Sequence, residues 1–139
     1  MIKKYGTAEW SGGLKDGKGS VSTQSGALKD QPYGFNTRFE DKAGTNPEEL
    51  IGAAHAGCFS MAFSNILGQD GIVPDKIETR STIFLSMEDG PKVVRAHLDV
   101  KVSAEADAAA IKAAAEKAET GCPISQLLDC EITMDLEIL

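Results

Sequence analysis

Hydrophobic and polar residues alternate along three stretches of the C-terminal half, a period that predicts β-strands. From 94 to 102, apolar side chains occupy the even positions, and charged side chains or histidine occupy the odd ones. Apolar residues occupy the odd positions of 83–87, and the segment 88–91, Glu-Asp-Gly-Pro, is typical of a turn. These two strands are expected to form an antiparallel hairpin. Residues 130–138 alternate again and predict a closing strand.

The first forty residues are rich in glycine, serine and threonine, a composition that favours short strands joined by turns. We expect strands near Lys3–Trp10, Gly19–Thr23 and Phe35–Glu40. No repeat, low-complexity tract or linker interrupts the sequence. Residues 1–139 are therefore expected to form a single domain with one core.

A strong helix start follows, because Asn46 can cap the helix, Pro47 suits its first position, and two glutamates come next. We expect this helix to run to about Leu67 and to end near Gly68. It is apolar nearly all round, which predicts a buried central helix. Gly57 lies inside it and suggests that another segment of backbone approaches closely there.

Two further helices are predicted. The alanine-rich segment Ala104–Glu119 has Ile111 as its only large apolar residue. Gly121-Cys122-Pro123 then interrupts the chain, and a short helix is expected over Pro123–Leu128. The predicted fold class is α+β, with antiparallel sheets packed on the long central helix.

The formal net charge is −7 at pH 7, which disfavours a nucleic-acid partner or an anionic membrane surface. Lys3 and Lys4 are not followed by an apolar run, so no export signal is predicted. The most apolar stretch, Leu50–Leu67, is interrupted by polar residues and indicates a core helix rather than a membrane span. We therefore expect a cytoplasmic protein, whose three cysteines are reduced by default.

Cys58 is the first candidate for chemistry, because it lies inside the apolar central helix. The simplest interpretation is a small buried hydrophobic residue, and burial raises the pKa of a thiol. A reactive Cys58 therefore needs a cation nearby. Of the three arginines, Arg38 lies just before the helix and is the best candidate; the alternative is a solvated charge on a strand.

Cys122 precedes Pro123 and can occupy the N-cap of the short helix, where a thiolate is favoured. The alternative is a turn cysteine without a task. Cys130 shares the apolar face of the closing strand with Ile132 and Met134, so we expect it to be a core residue.

The simplest interpretation of Glu48 is a residue that stabilises the helix start, yet its carboxylate could also be part of an active site with Cys58. Ten residues separate them, or roughly 15 Å along an ideal helix, so they cannot touch on one unbroken helix. Either the helix breaks, or the glutamate comes from a second subunit. His55 lies three residues before Cys58, so a Cys–His pair is conceivable, although a core or interface histidine is the simpler interpretation.

Metal binding has weak support. Cysteine and histidine are zinc ligands, but the chain has no Cys-x-x-Cys or His-x-x-x-His spacing. His97 faces outward on its predicted strand beside Arg95 and needs no function. No metal and no other cofactor is therefore predicted.

Three motifs resemble the OsmC/Ohr family of osmotically inducible and organic hydroperoxide resistance proteins. The run 44–61, GTNPEELIGAAHAGCFSM, is similar to the signature of that family. The run 121–125, GCPIS, resembles its second cysteine motif, and 31–40, QPYGFNTRFE, resembles the OsmC branch. The resemblance extends over essentially the whole chain, and the two cysteine motifs together are highly specific. Gly57 is one departure, because alanine is usual before the first cysteine.

The resemblance implies a peroxidase that is an intertwined homodimer, with each active site built from both subunits. It implies that Cys58 attacks an organic hydroperoxide and that Cys122 then forms a disulfide with it. Arg38, held by Glu48, would stabilise the Cys58 thiolate. A dithiol, such as one on a lipoylated protein, would reduce the disulfide. Cys130 matches no catalytic position of the family.

Three other functions are compatible with the residues alone. A thiol–disulfide exchange protein would need an exposed cysteine pair. A non-catalytic dimeric protein could hold an apolar ligand beside the central helix, where Phe59, Met61 and Phe63 suggest an apolar pocket. A structural zinc protein is the third alternative.

Overall fold

The computed structural model describes all residues from 1 to 139 and contains both strands and helices, so the α+β class is confirmed. It forms two compact units, Met1–Leu50 and Ile51–Leu139. The elements in chain order are β1 (Gly6–Ser11), β2 (Lys18–Thr23), β3 (Gln31–Tyr33), α1 (Phe35–Phe39), α2 (Pro47–Gln69), β4 (Lys76–Ser86), β5 (Lys92–Ser103), α3 (Ala108–Gly121), α4 (Pro123–Leu127) and β6 (Glu131–Ile138).

The first unit is an antiparallel sheet in the order β1-β2-β3, followed by α1. The strand predicted at Phe35–Glu40 is wrong, because this segment forms the helix α1. Phe35 and Phe39 are spaced by one helical turn, and their ring centroids lie 4.9 Å apart. Thr37 Oγ1 accepts a hydrogen bond from the Gly34 N–H at 2.8 Å, which fixes the helix start. Aromatic residues four positions apart lie on the same side of either a strand or a helix. The contacts within this segment favour the helix.

The start of α2 is confirmed in detail. Asn46 Oδ1 accepts a hydrogen bond from the Glu49 N–H at 2.8 Å, and the Asn46 amide donates to Glu49 Oε2 at 2.6 Å. The helix then continues without a break from Pro47 to Gln69. A break in the helix is therefore not available as a way to bring Glu48 to Cys58.

The expectation that α2 is buried all round is wrong for the single chain. Its buried residues recur every three or four positions and define one face: Gly52, His55, Phe59, Phe63 and Leu67. The opposite face is open, and the Met61 side chain there is 77% exposed. One sheet can cover only one side of a helix. By length and composition α2 could also cross a membrane, but the core helices of soluble proteins meet the same criterion. The buried face of α2 belongs to the core of the second unit.

The second unit holds the sheet β4-β5-β6 and the hydrophobic core. The predicted hairpin of β4 and β5 is confirmed as antiparallel. The pair β5 and β6 is parallel, which corrects the expectation of wholly antiparallel sheets. The helices α3 and α4 connect these two strands and return the chain to the end at which β5 began. Phe59 and Phe63 of α2 pack in one core with apolar residues of β5 and α3, which include Leu98, Val100 and Ile111.

The close backbone approach predicted at Gly57 occurs instead at Gly52. A Cβ on Gly57 would meet nothing within 4 Å, whereas a Cβ on Gly52 would lie 2.8 Å from the backbone oxygen of Ser81. Gly52→Ala should therefore lower the free energy of unfolding by about 1–3 kcal/mol, because the helix must move off β4. Gly57→Ala, the matched control, should raise it by about 0.5–1 kcal/mol. Urea denaturation of both variants tests this, and equal effects of the two changes would contradict it.

Candidate active site

Cys58 and Cys122 are neighbours in the second unit, and both are free thiols. Cys58 lies on α2 and is partly exposed, whereas Cys122 is 0% exposed. Burial raises the pKa of Cys58, a contact with the backbone of Ile124 lowers it, and the neighbouring Cys122 thiol raises it again. The net direction is upward, so within the second unit the thiol form of Cys58 is favoured. A reactive Cys58 still requires a cation, as its sequence context predicts.

Cys122 is the N-cap of α4, as predicted. Its Sγ accepts a hydrogen bond from the Ser125 N–H at 3.3 Å, and its thiol donates to Ser125 Oγ at 3.1 Å. Pro123 occupies the start of the helix, where it fixes the backbone without losing a helical hydrogen bond. The Cys122 N–H donates to the Ala118 carbonyl at 3.1 Å, so the residue is also the C-cap of α3. Both helices therefore hold Cys122 in place.

His55 is fully buried and is held on both sides by serine hydroxyls. Its Nδ1 lies 2.8 Å from Ser81 Oγ on β4, and its Nε2 lies 2.8 Å from Ser125 Oγ on α4. Burial lowers the pKa of His55, so the neutral imidazole is favoured. The hydrogen-bond partners of His55 are these serines, and Ser125 links it to Cys122.

Sequence reasoning missed both serines. Ser125 carried a local signal, because it lies three residues after the N-cap cysteine, where a backbone N–H meets the cap. Ser81 carried none, because its position opposite His55 arises from the packing of α2 on β4.

Arg38 and Glu48 form an ion pair in the first unit. Arg38 Nη2 lies 2.7 Å from Glu48 Oε1, and Arg38 Nε donates to both carboxylate oxygens at 3.1 and 3.2 Å. Their side chains are 35% and 14% exposed. This forked geometry fixes the plane of the guanidinium, and it leaves Nη1 free to bind a further anionic group.

An apolar cavity of about 180 Å³ lies beside Arg38 in the first unit. Its walls are aromatic and aliphatic side chains: Trp10, Leu14, Tyr33, Phe35, Phe39 and Pro47. The apolar pocket expected from Phe59, Met61 and Phe63 is not built by those residues. Phe59 and Phe63 belong to the core, and Met61 is exposed.

The remaining candidates are not part of these clusters. Cys130 is half-buried just before β6, and burial raises its pKa, as is typical of an unreactive thiol. His97 Nδ1 lies 2.6 Å from Thr133 Oγ1, and its Nε2 faces the carboxylates of Asp99 and Asp135 at 3.5 and 3.4 Å. No cysteine joins this group, and the cysteines form no metal-binding cluster with the histidines. The cysteine–histidine zinc site considered from the sequence is therefore not formed, whereas His97, Asp99 and Asp135 place their ligand atoms within 4.8 Å of one another.

The sequence is similar to known proteins over most of its length. The profile of the OsmC-like protein family matches residues 39–137. The chain is 50% identical to peroxiredoxin OsmC of Escherichia coli K12, and the match covers 99% of this chain and 97% of that protein. It is 33% identical to an organic hydroperoxide resistance protein-like protein of Staphylococcus saprophyticus, over 68% of this chain and 69% of the relative.

Solved structures share the fold. An OsmC-like protein from Mycoplasma pneumoniae aligns with a TM-score of 0.76 at 13% identity, over 99% of this chain and 98% of that one. The organic hydroperoxide resistance protein OhrB of Bacillus subtilis aligns with a TM-score of 0.65 at 24% identity, over 97% and 98% of the two chains. At these identities the likeness concerns the fold alone.

Proposed function

The chain belongs to the OsmC-like protein family, and from that premise we propose that it is a cytoplasmic peroxidase that reduces organic hydroperoxides with Cys58 and Cys122. One observation carries the proposal: a partly exposed thiol on a helix adjoins a buried thiol fixed between two further helices. The full-length similarity to a protein named peroxiredoxin OsmC supports the same reaction class.

The different exposure of the two thiols supports a different role for each. Cys58 is the one that a hydroperoxide can reach, so its thiolate attacks the O–O bond. Cys58 becomes a sulfenic acid, and the alkoxide that leaves takes a proton and departs as an alcohol. Cys122 then attacks the Cys58 sulfur, so that a disulfide forms and one water leaves. A dithiol reductant, such as a lipoylated protein, restores both thiols by exchange and is itself oxidised to a disulfide.

Activation of Cys58 requires a positive charge, because its surroundings raise its pKa. The ion pair of Arg38 and Glu48 offers an oriented guanidinium with Nη1 still free. Because α2 is unbroken, Glu48 lies about 15 Å from Cys58 along its own helix. The proposed site therefore pairs Cys58 of one subunit with Arg38 of the partner subunit, held by Glu48 of the partner subunit. The open face of α2, on which Met61 is exposed, supports such a homodimer.

The cavity beside Arg38 supports an organic substrate. Its volume of about 180 Å³ suits an alkyl or aryl group, and its aromatic walls favour an apolar one. An apolar group that loses about 100 Å² of exposed surface there gains about 2.5 kcal/mol. Hydrogen peroxide has no such group and gains none of this energy.

The test compares oxidants on the reduced protein. Thiol loss should be about 10–100-fold faster with cumene hydroperoxide than with hydrogen peroxide, as the energy above implies. Stopped-flow measurement of both second-order rate constants decides the preference. A faster reaction with hydrogen peroxide would contradict the organic substrate class. Thiols that survive both oxidants would contradict the peroxidase and favour a protein that only binds an apolar ligand.

A further inference from the structure

A continuous chain of hydrogen bonds joins the Cys122 thiol to the buried imidazole. Cys122 Sγ lies 3.1 Å from Ser125 Oγ, and Ser125 Oγ lies 2.8 Å from His55 Nε2. His55 Nδ1 in turn lies 2.8 Å from Ser81 Oγ. The link from Cys122 to Ser125 lies within the cap of α4, whereas tertiary packing brings His55 of α2 and Ser81 of β4 to it.

All three hydrogen bonds can be donated in one direction. A neutral imidazole has one N–H, and Nδ1–H can donate to Ser81 Oγ. Nε2 is then free to accept from the Ser125 hydroxyl, and Ser125 Oγ accepts from the Cys122 thiol. A proton that leaves Cys122 therefore has a path to Nε2 through Ser125.

Cys122 needs such a path because it is 0% exposed. The thiolate is the nucleophile in disulfide formation, and water or hydroxide in bulk solvent cannot reach a fully buried thiol directly. Without a base in contact, a buried Cys122 would have no acceptor for its proton, and the sulfenic acid on Cys58 would stay exposed to further oxidation. A resolving cysteine in this position benefits from an internal proton acceptor.

We propose that Ser125 and His55 form a proton relay that deprotonates Cys122 when it attacks oxidised Cys58. This inference rests on the proposed peroxidase function and extends it to the second chemical step. The Cys122 proton moves to Ser125 Oγ as the serine proton moves to His55 Nε2. The Cys122 sulfur then bonds to the Cys58 sulfur, and the departing hydroxide takes up one proton from solvent and leaves as water. His55 is left as an imidazolium and returns its proton to solvent before the next cycle. Ser125 touches a reacting atom, whereas His55 acts through it as a positioning residue.

The groups that face His55 are consistent with this role. Serine hydroxyls contact His55 from β4 and from α4. The titratable groups nearest the far end of this series of hydrogen bonds are the thiols of Cys122 and Cys58. The rival interpretation is a structural histidine whose buried nitrogens are merely satisfied. Both interpretations predict a loss of stability on mutation, so stability alone does not separate them.

The test isolates the attack of Cys122 from the reaction with peroxide. Cys58 is capped with a nitrothiobenzoate group by an aryl disulfide reagent, in a Cys130→Ser background that all variants share. Attack of Cys122 on the capped sulfur releases the coloured nitrothiobenzoate thiolate, whose appearance gives the rate. Internal proton transfer predicts a rate in the otherwise unchanged protein that is nearly constant from about pH 6 to pH 8. Without a relay, the rate rises about tenfold per pH unit below the ordinary thiol pKa.

Variants locate the relay. Ser125→Ala and His55→Gln should each slow the release about 100-fold at neutral pH, and raising the pH to about 10 should largely restore the rate. Ser125→Thr keeps the hydroxyl and should recover most of it. The matched control is Ser60→Ala, which removes another part-buried hydroxyl between α2 and β4, bonded to Thr79 Oγ1 at 2.8 Å. It should change the rate less than about twofold.

Three results would overturn the relay: a tenfold rise per pH unit in the parent protein, an unchanged rate in Ser125→Ala, or a slow rate that high pH does not restore. The parent pH profile decides the question even if Ser125→Ala does not fold. A separate result would contradict the proposed peroxidase function: thiols of the wild-type protein that survive cumene hydroperoxide. The nitrothiobenzoate assay uses no peroxide and judges the relay by itself.

Discussion

Replacing Arg38 by methionine is expected to slow the reaction of Cys58 with cumene hydroperoxide about 100–1,000-fold at neutral pH, the usual effect of removing one preorganised donor. Burial and the Cys122 thiol raise the pKa of Cys58, and the guanidinium is the group proposed to offset them. Without it, less thiolate is present, so the pH dependence of the reaction should move to higher pH. Stopped-flow rates of thiol loss across pH provide both readouts.

Two further variants sharpen this prediction. Glu48→Gln keeps the length of the side chain but removes the charge that holds Arg38 at 2.7 Å, so it should slow the reaction less than the loss of Arg38 does. Arg80→Met is the matched control, because Arg80 is an exposed arginine on β4. It should leave the rate unchanged. Wild-type rates and an unshifted pH profile in Arg38→Met would remove Arg38 from the site.

Two inactive variants should restore each other's activity when they are combined in one dimer. In a dimer of one Cys58→Ser subunit and one Arg38→Met subunit, a shared site joins the intact Cys58 of the second to the intact Arg38 of the first. Such a mixed dimer, isolated with two affinity tags, should have about half the activity of the wild-type dimer. If each site lay within one chain, the mixed dimer would be as inactive as its parents.

The reciprocal dimer is the control for this experiment. One wild-type subunit is paired with a subunit that carries both Cys58→Ser and Arg38→Met. In a shared site the remaining Cys58 faces the changed arginine position, so this dimer should be inactive. Half activity here, together with inactivity of the first mixed dimer, would show that the guanidinium and the thiol come from the same chain.

Local signals explain which elements the sequence could predict. The start of α2 was predictable because Asn46 and Glu49 satisfy the cap within three residues. The hairpin of β4 and β5 followed from alternation and a turn, and Cys122 at a helix N-cap followed from Pro123. None of these depends on the rest of the fold.

Apart from α1, whose local contacts were misinterpreted as a strand, the incorrect predictions concern features that tertiary packing decides. Alternation in β6 indicates a strand but carries no information on direction, so the parallel pairing with β5 was not visible. A glycine in a helix signals a close approach somewhere, but Gly52 and Gly57 differ only in what lies opposite them. For the same reason, Ser81 and Ser125 were not predicted as partners of His55.

The open face of α2 connects the fold to the proposed site. The open face of α2 leaves room for a partner, and a Cys58 thiolate would need a positive charge nearby because burial raises the pKa of that thiol. A second copy of the chain would supply both, and the mixed-dimer experiment tests that point.

The most direct test of the central claim is to trap the oxidised thiol. Reduced wild type, Cys58→Ser and Cys122→Ser are each treated with one equivalent of cumene hydroperoxide and with dimedone, which labels sulfenic acids, and the labelled residue is identified by mass spectrometry. We predict that Cys122→Ser carries the label on Cys58, that wild type forms a disulfide between Cys58 and Cys122, and that Cys58→Ser remains unlabelled. A label on Cys130, or no label in Cys122→Ser, would contradict the assignment of Cys58 as the thiol that attacks the hydroperoxide.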